Sequence, residues 1–410
     1  MSTARRASAG ARESTAPVEN EAPVENGAPL DRVVLGRTGL EVRRLGFGGI
    51  PIQRVSEAEA VATVRHVVEG GCEFIDTSRA YSTSERRIGL ALREMGCASG
   101  APGPATTDPA GASSSAGRAA HGAPATSPGN PAGGRRLVIA SKSHARTADA
   151  MRADLETSLR ELQRDYIDIY KCHFVSTQAD YEKVIGPGGA LEALQKARDE
   201  GLIGHIGITG HSLEVLDRSL DDGLFDVLMV CFGILEPKAR ETIIPKAREK
   251  NVGILAMKPF SGGMVDDARL ALKYALAEPG VLVLAGLEHP GLFDENWRIF
   301  QEVSRSGAAL TEAEQAQIAE LQRTYDKVFC RRCDYCQPCA ENIPIQTVLG
   351  VRSMAKRMGK GLLEKGPFWP ALQRARNCTE CGECVTRCPY DLPIPDLIRE
   401  NLAWLDALEG

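Results

Sequence analysis

The chain has 410 residues, with 49 Lys plus Arg against 54 Asp plus Glu and a formal net charge of −5. So mild a balance argues against nucleic acid as a main partner, and no apolar run approaches the roughly 20 residues of a membrane-spanning helix. Arg5 and Arg6 have no apolar stretch behind them, so no secretory signal is read there and a cytoplasmic protein is expected.

Residues 1–28, rich in Ala, Glu, Ser and Pro without apolar periodicity, are expected to be disordered. A hairpin, RVVLGRTGLEVRRLG, turns at Thr38-Gly39 and leads into a first strand near Leu45-Gly46-Phe47. Ser56 and Glu59 make a capping box for a helix with Val61, Val64 and Val68 on one face, and Gly70-Gly71 stop it. Seven more strands follow: CEFIDTS, RLVIASK, YIDIYKCH, HIGITGH, DVLMVCF, GILAMK and VLVLAG. Helices are expected between them at 84–95, 148–163, 188–201, 213–221, 237–250 and 266–277. Residues 98–136 contain no Val, Ile, Leu, Met or Phe and are expected to be a disordered insertion on the helix-to-strand side. This alternation over 29–325 predicts an α/β fold, a (β/α)₈ TIM barrel with a doubly wound sheet as the alternative. A barrel would gather the polar strand ends Asp76, Lys142, His173, Thr209 and Lys258 on its C-terminal face.

Three of these residues, Asp76, Lys142 and His173, make a coherent acid site with Tyr81. Reducing a carbonyl requires a hydride and a proton for the oxygen. Tyr81 can give that proton, although a free phenol near 10 is too weak an acid at neutral pH. A nearby Lys142 ammonium favours the phenolate, Asp76 holds the lysine charged, and His173 hydrogen-bonds and orients the substrate oxygen. Singly, each residue reads as a cap, a packing ring or a core histidine; four at the ends of three successive strands read as a site. His66, His121, His144, His205 and His289 are read as ordinary, and His211 is left unassigned.

Thr311 and Glu314 cap a further helix ending near Phe329, and residues 326–410 are expected to form a small ferredoxin-like domain. CRRCDYCQPC supplies Cys330, Cys333, Cys336 and Cys339; CTECGECVTRCP supplies Cys378, Cys381, Cys384 and Cys388. The second run is the C-x₂-C-x₂-C-x₃-C-P pattern of [4Fe–4S] ligation. CAENIPI after the first run repeats in CPYDLPI after the second. The expected sets are Cys330, Cys333, Cys336 with Cys388, and Cys378, Cys381, Cys384 with Cys339. The first run's x₂ spacing and Ala340 leave one cluster or two open, and zinc and disulfides stand as weaker alternatives.

LGRTGLEVRRLGFGG, FIDTSRAY, VIASKS, DYIDIYKCH, EGLIGHIGITGHS and the spaced G–EN of AGLEHPGLFDEN resemble the aldo-keto reductase family over roughly 30–325. The cysteine region resembles the C-terminal extension of a subgroup of that family. The resemblance implies Tyr81 as general acid, tuned by Lys142 and Asp76, with His173 orienting a small-molecule carbonyl. It also implies NADP(H), with NAD(H) as an alternative, held by Thr209 and Gly210 after strand five and by Lys258, Ser261 and Gly262 around the pyrophosphate. Glu295 and Asn296 would take the adenine, and Phe232 would replace a stacking tyrosine. Thr209, Gly210 and Met229 stand where the family carries Ser, Asn and Gln, and GLEHPG lacks the expected 2′-phosphate cation; a flavin is therefore a further alternative. Three functions follow: a carbonyl reductase with structural or regulatory clusters, an electron-transfer enzyme with a redox partner, or a redox-sensing module.

Overall fold

The computed structural model describes residues 32–97, 136–358, 366 and 368–409. The segments expected to lack order, 1–28 and 98–135, lie outside the described residues. Arg136, assigned from sequence to the insertion, is placed: its guanidinium pairs with the buried Asp168 carboxylate.

The hairpin is β1 (Arg32–Val34) and β2 (Glu41–Arg43), antiparallel in the register Val33 opposite Val42. Eight parallel strands then close into a barrel. They are β3 (Leu45–Gly48), β4 (Phe74–Asp76), β5 (Val138–Ser143), β6 (Ile167–Cys172), β7 (Ile203–Gly210), β8 (Val227–Cys231), β9 (Gly253–Met257) and β10 (Val281–Gly286), with β10 pairing β3. The barrel is the expected fold, and the doubly wound alternative fails because closure leaves no sheet edge. Val33, Leu35, Leu40 and Val42 of the hairpin pack onto Phe74, Val138, Val227 and Leu282 inside the barrel. These lie toward the N-terminal ends of their strands, so the hairpin plugs the bottom and leaves the C-terminal end for chemistry.

The outer ring comprises α1 (Glu57–Glu69), α2 (Ser84–Glu94), α3 (Ala148–Leu162), α4 (Gln178–Ile185), α5 (Ala190–Asp199), α6 (Leu213–Asp222), α7 (Ile243–Glu249), α8 (Ala268–Leu276) and α9 (Pro290–Ser306). Ser56 and Glu59 form the expected capping box on α1. The single helix expected over 237–250 is instead a 3₁₀ turn at Pro237–Arg240 followed by α7. Pro245 has no N–H to give and is tolerated only in a first turn, so the helix restarts two residues before it. Helix α4, which fills the connection after β6, is not among the helices expected from the sequence.

Helix α10 (Glu312–Tyr325), capped by Thr311, leads into a cysteine-rich stretch with few elements of its own. Then come α11 (Ile345–Leu349), α12 (Val351–Met358), α13 (Trp369–Ala375), α14 (Glu383–Thr386) and α15 (Ile394–Glu409). Val348, Val351, Leu372, Ile394, Leu397 and Ile398 form a second buried cluster, separate from the core under the barrel helices. No helix among the described residues is long and apolar enough to cross a membrane.

Candidate active site

Asp76 is the last residue of β4, Lys142 the last but one of β5, and His173 follows β6. Because these strands are neighbours, residues far apart in sequence meet at one end of the barrel. The Lys142 ammonium donates to Asp76 Oδ1 and, at 2.8 Å, to the Thr77 carbonyl. It also lies 4.8 Å from the centre of the Tyr81 ring. His173 meets Tyr81 edge-on, with 5.8 Å between ring centres, and its Nδ1 is 3.0 Å from Ser78 Oγ. The four residues assigned to catalysis from sequence are therefore brought together.

A fifth joins them. The Lys171 ammonium, fully buried in β6, donates to Asp76 Oδ2 at 2.7 Å. Burial alone would raise the Asp76 carboxyl, but Lys142 and Lys171 outweigh it and hold it below the ordinary range. Burial would lower Lys142, yet Asp76 and Tyr81 more than compensate and raise it. Tyr81 is pushed up by burial, with Lys142 pulling the other way. His173 is held well below its usual value by burial and then by Lys142, so it is neutral near pH 7. Lys171 is lowered by burial to about 8, with Asp76 offsetting part of the shift.

His144, read from sequence as ordinary, stacks on His173 with ring centres 4.1 Å apart. Phe174 stands edge-on to His144 and, at 4.8 Å, to His211. His211 Nε2 lies 2.9 Å from Lys258 Nζ. The loop after β9 runs through left-handed backbone at Lys258, Ser261, Gly262 and Gly263, and Ser261 Oγ is buried with no hydrogen-bond partner. An orphaned hydroxyl, successive turned amides and a lysine fit a phosphate-bearing cofactor. Thr209 Oγ1 accepts from the Phe174 N–H at 2.9 Å and keeps its own proton to give. A Cβ on Gly210 would fall 2.6 Å from the Val175 carbonyl, so the family's asparagine has no room there without a shift. On α9, Asn296 is buried and Glu295 exposed.

One sequence expectation changes, and another gains a residue. Phe232 is fully enclosed, 5.7 Å from the Tyr274 ring with the Arg240 guanidinium over its face. It presents no open surface for stacking, because Val227 and Met229 face the barrel interior and the even positions of this strand face the helices. Near the presumed 2′-phosphate stretch, Arg54 meets Glu288 at 3.0 Å, a cation from a distant loop that no local pattern shows.

The cysteines form two groups. Cys330 is close enough to Cys333 and Cys388 to feel their charge, and Cys336 feels Cys330, Cys333 and Cys388. Cys339, Cys378, Cys381 and Cys384 line a separate cavity with Ile343, Ile345 and Ile398. Among the described residues, no three His, Cys, Asp or Glu side chains converge closely enough to hold a single metal ion. Two groups of thiols, the second around a cavity and each drawing on both cysteine runs, fit iron–sulfur cubes. The first group sits on the barrel mouth: the Arg332 carbonyl is 3.0 Å from His211 Nδ1, and Tyr335 Oη is 2.8 Å from Ser212 Oγ. Ser353 Oγ donates to the Gly262 carbonyl at 3.0 Å.

The profile of the aldo/keto reductase family matches residues 44–270, and that of a 4Fe-4S dicluster domain matches residues 329–393. L-galactose dehydrogenase of Arabidopsis thaliana is 27% identical over 249 residues, 57% of this chain and 66% of that protein. Probable aldo-keto reductase 1 of Glycine max is 24% identical over 238 residues, 56% of this chain and 60% of that protein. The match thus spans less than two thirds of either relative. Among solved structures, aldo-keto reductase AKR11C1 from Bacillus halodurans has TM-score 0.53 and 21% identity, covering 71% of this chain and 96% of that one. An aldo-keto reductase from Klebsiella pneumoniae in complex with NADPH has TM-score 0.53 and 19% identity, covering 72% and 95%. These likenesses show the fold.

Proposed function

The chain belongs to the aldo/keto reductase family and carries a 4Fe-4S dicluster domain, and from that premise we propose that it is an NAD(P)H-dependent oxidoreductase reducing a small-molecule carbonyl to an alcohol. The observation that carries this reading is the meeting of Tyr81, Lys142, Asp76 and His173 at one mouth of the barrel. NADP(H), when bound, supplies the hydride. Tyr81 gives the proton to the substrate oxygen, Lys142 stabilises the phenolate that remains, and Asp76 keeps that lysine charged. Neutral His173 positions the same oxygen, with its Nδ1 fixed by Ser78. Lys258, Ser261 and Gly262 would hold the pyrophosphate, Thr209 and Gly210 the nicotinamide side, and Asn296 with Glu295 the adenine. The family fold and free thiols favour the cytoplasm.

Two clusters would be held by the two cysteine groups, supplying one-electron chemistry. A second reading, exchange of electrons between the barrel and these clusters, is favoured by one series of contacts. From His173 it runs through His144, Phe174 and His211 to the Arg332 carbonyl, between Cys330 and Cys333.

Loss of NADPH absorbance with 4-nitrobenzaldehyde as probe tests the first reading. Tyr81→Phe is expected to lower that rate by about a thousandfold while leaving NADPH binding within a factor of about two. Substantial turnover in the variant refutes Tyr81 as the acid. Bleaching of the cluster absorption by NADPH alone, in anaerobic protein, supports the second reading.

A further inference from the structure

Position 171 is an unusual place for a charge. Ile169, two residues earlier in β6, belongs to the apolar cluster inside the barrel, and Lys171 shares its face by strand alternation. Its side chain is wholly buried, and among the described residues its ammonium meets one hydrogen-bond partner, the Asp76 carboxylate. The neighbouring strand is shaped for it: a Cβ on Gly207 would fall 2.6 Å from Lys171 Cγ. A methionine would fill the same space without burying a charge, so packing alone does not account for the lysine.

The charges do. One carboxylate faces two ammoniums, Lys142 on Oδ1 and Lys171 on Oδ2. The groups turned toward Lys171 are Asp76 from β4, Lys142 from β5 and His173 just after its own strand, whereas β7 brings Gly207. His173 is neutral, so the cluster keeps one positive charge in excess, beside the phenol of Tyr81.

We propose that Lys171 is a positioning residue of this reaction centre: by taking Oδ2 of Asp76 it stops that carboxylate from neutralising Lys142, and so leaves the Lys142 charge directed at Tyr81. This rests on the reading of Tyr81 as proton donor. Without Lys171, Asp76 screens Lys142 fully and the phenolate loses support; Tyr81 becomes harder to ionise, and both directions of proton transfer slow.

Full-length, anaerobically purified protein labelled with [13Cζ]tyrosine tests this by NMR, with Tyr81 assigned through Tyr81→Phe. In Lys171→Met the Tyr81 titration is expected to move to higher pH by about half a unit or more. The kcat for 4-nitrobenzaldehyde with NADPH is expected to fall about tenfold with KM within about twofold. If Lys171→Met does not fold, Lys171→Gln, which keeps a donor for Oδ2 without the charge, carries the same titration. An unmoved Tyr81 titration in a folded variant overturns the proposal, whatever the rate. A moved titration in a protein that reduces no carbonyl sustains the positioning role and refutes the reaction instead.

Discussion

The mouth of the barrel and the cysteine region on top of it are both built from clustered ionisable side chains, but they are held in opposite ways. At the mouth, Asp76, Lys142 and Lys171 satisfy one another, each on its own strand of a closed, hydrogen-bonded sheet above an apolar plug. The protein completes this site by itself. In the cysteine region the stretch from Cys330 to Pro344 has no helix or strand, and Arg332, Asp334 and Asn342 sit in left-handed backbone. Its thiols face one another or a cavity, and a small cluster around Val348 and Leu372 is the core beneath. Such a region is expected to draw its order from what the thiols bind, as metal-dependent domains do.

The sharpest way to break the comparison is to remove the iron. Anaerobic protein is expected to contain about eight irons per chain, one cube for each cysteine group; four would mean that one group builds none. Chelation is expected to abolish protection from hydrogen exchange over 330–355 while the barrel strands stay protected. Residues 211–214 and 258–263 should lose protection too, since Arg332, Tyr335 and Ser353 cover them. A barrel that unfolds with its iron would erase the distinction.

A smaller effect sharpens the other side. Lys171 titrates at about 8 in the folded chain against an ordinary 10.5. A lysine lowered by folding opposes stability wherever it stays charged. The penalty is fully present below pH 8 and is relieved as pH rises from 8 toward 10.5, where the unfolded chain binds the extra proton. At pH 7 it amounts to about 3 kcal/mol, so Lys171→Met is expected to raise the urea midpoint at pH 7 and to gain nothing at pH 10.5. A destabilised variant at pH 7 would mean that the barrel needs this charge for its fold.

The smallest expected effect concerns the nucleotide. From Gly286 to Asn296 the chain offers Glu288, Asp294 and Glu295, with His289 the one basic side chain, and Arg54, the cation brought there, is engaged with Glu288. Preference for NADPH over NADH is expected to stay under about tenfold, or about 1.4 kcal/mol, by titration of each into anaerobic protein. A hundredfold preference would show that a cation, Arg298 turned inward from α9 or Arg54 released from Glu288, reads the 2′-phosphate.

What the amino-acid sequence determined by itself were the features written in local spacing. Strand and helix alternation named an eight-stranded α/β fold, polar residues at strand ends named Asp76, Lys142 and His173 as candidate neighbours, and the cysteine intervals named two candidate ligand sets. Spacing suffices there because periodicity, caps and ligand reach act within a few residues. Tertiary structure decided the rest. Lys171 sits 95 positions from Asp76 and looks like any polar residue in a strand until closure aligns β4, β5 and β6. His144 and His211 join the site for the same reason, and Phe232 leaves it because one step along a strand turns a side chain to the other face. Nor does any local pattern place Arg332 over His211, since two separately cored regions meet only through their folded surfaces.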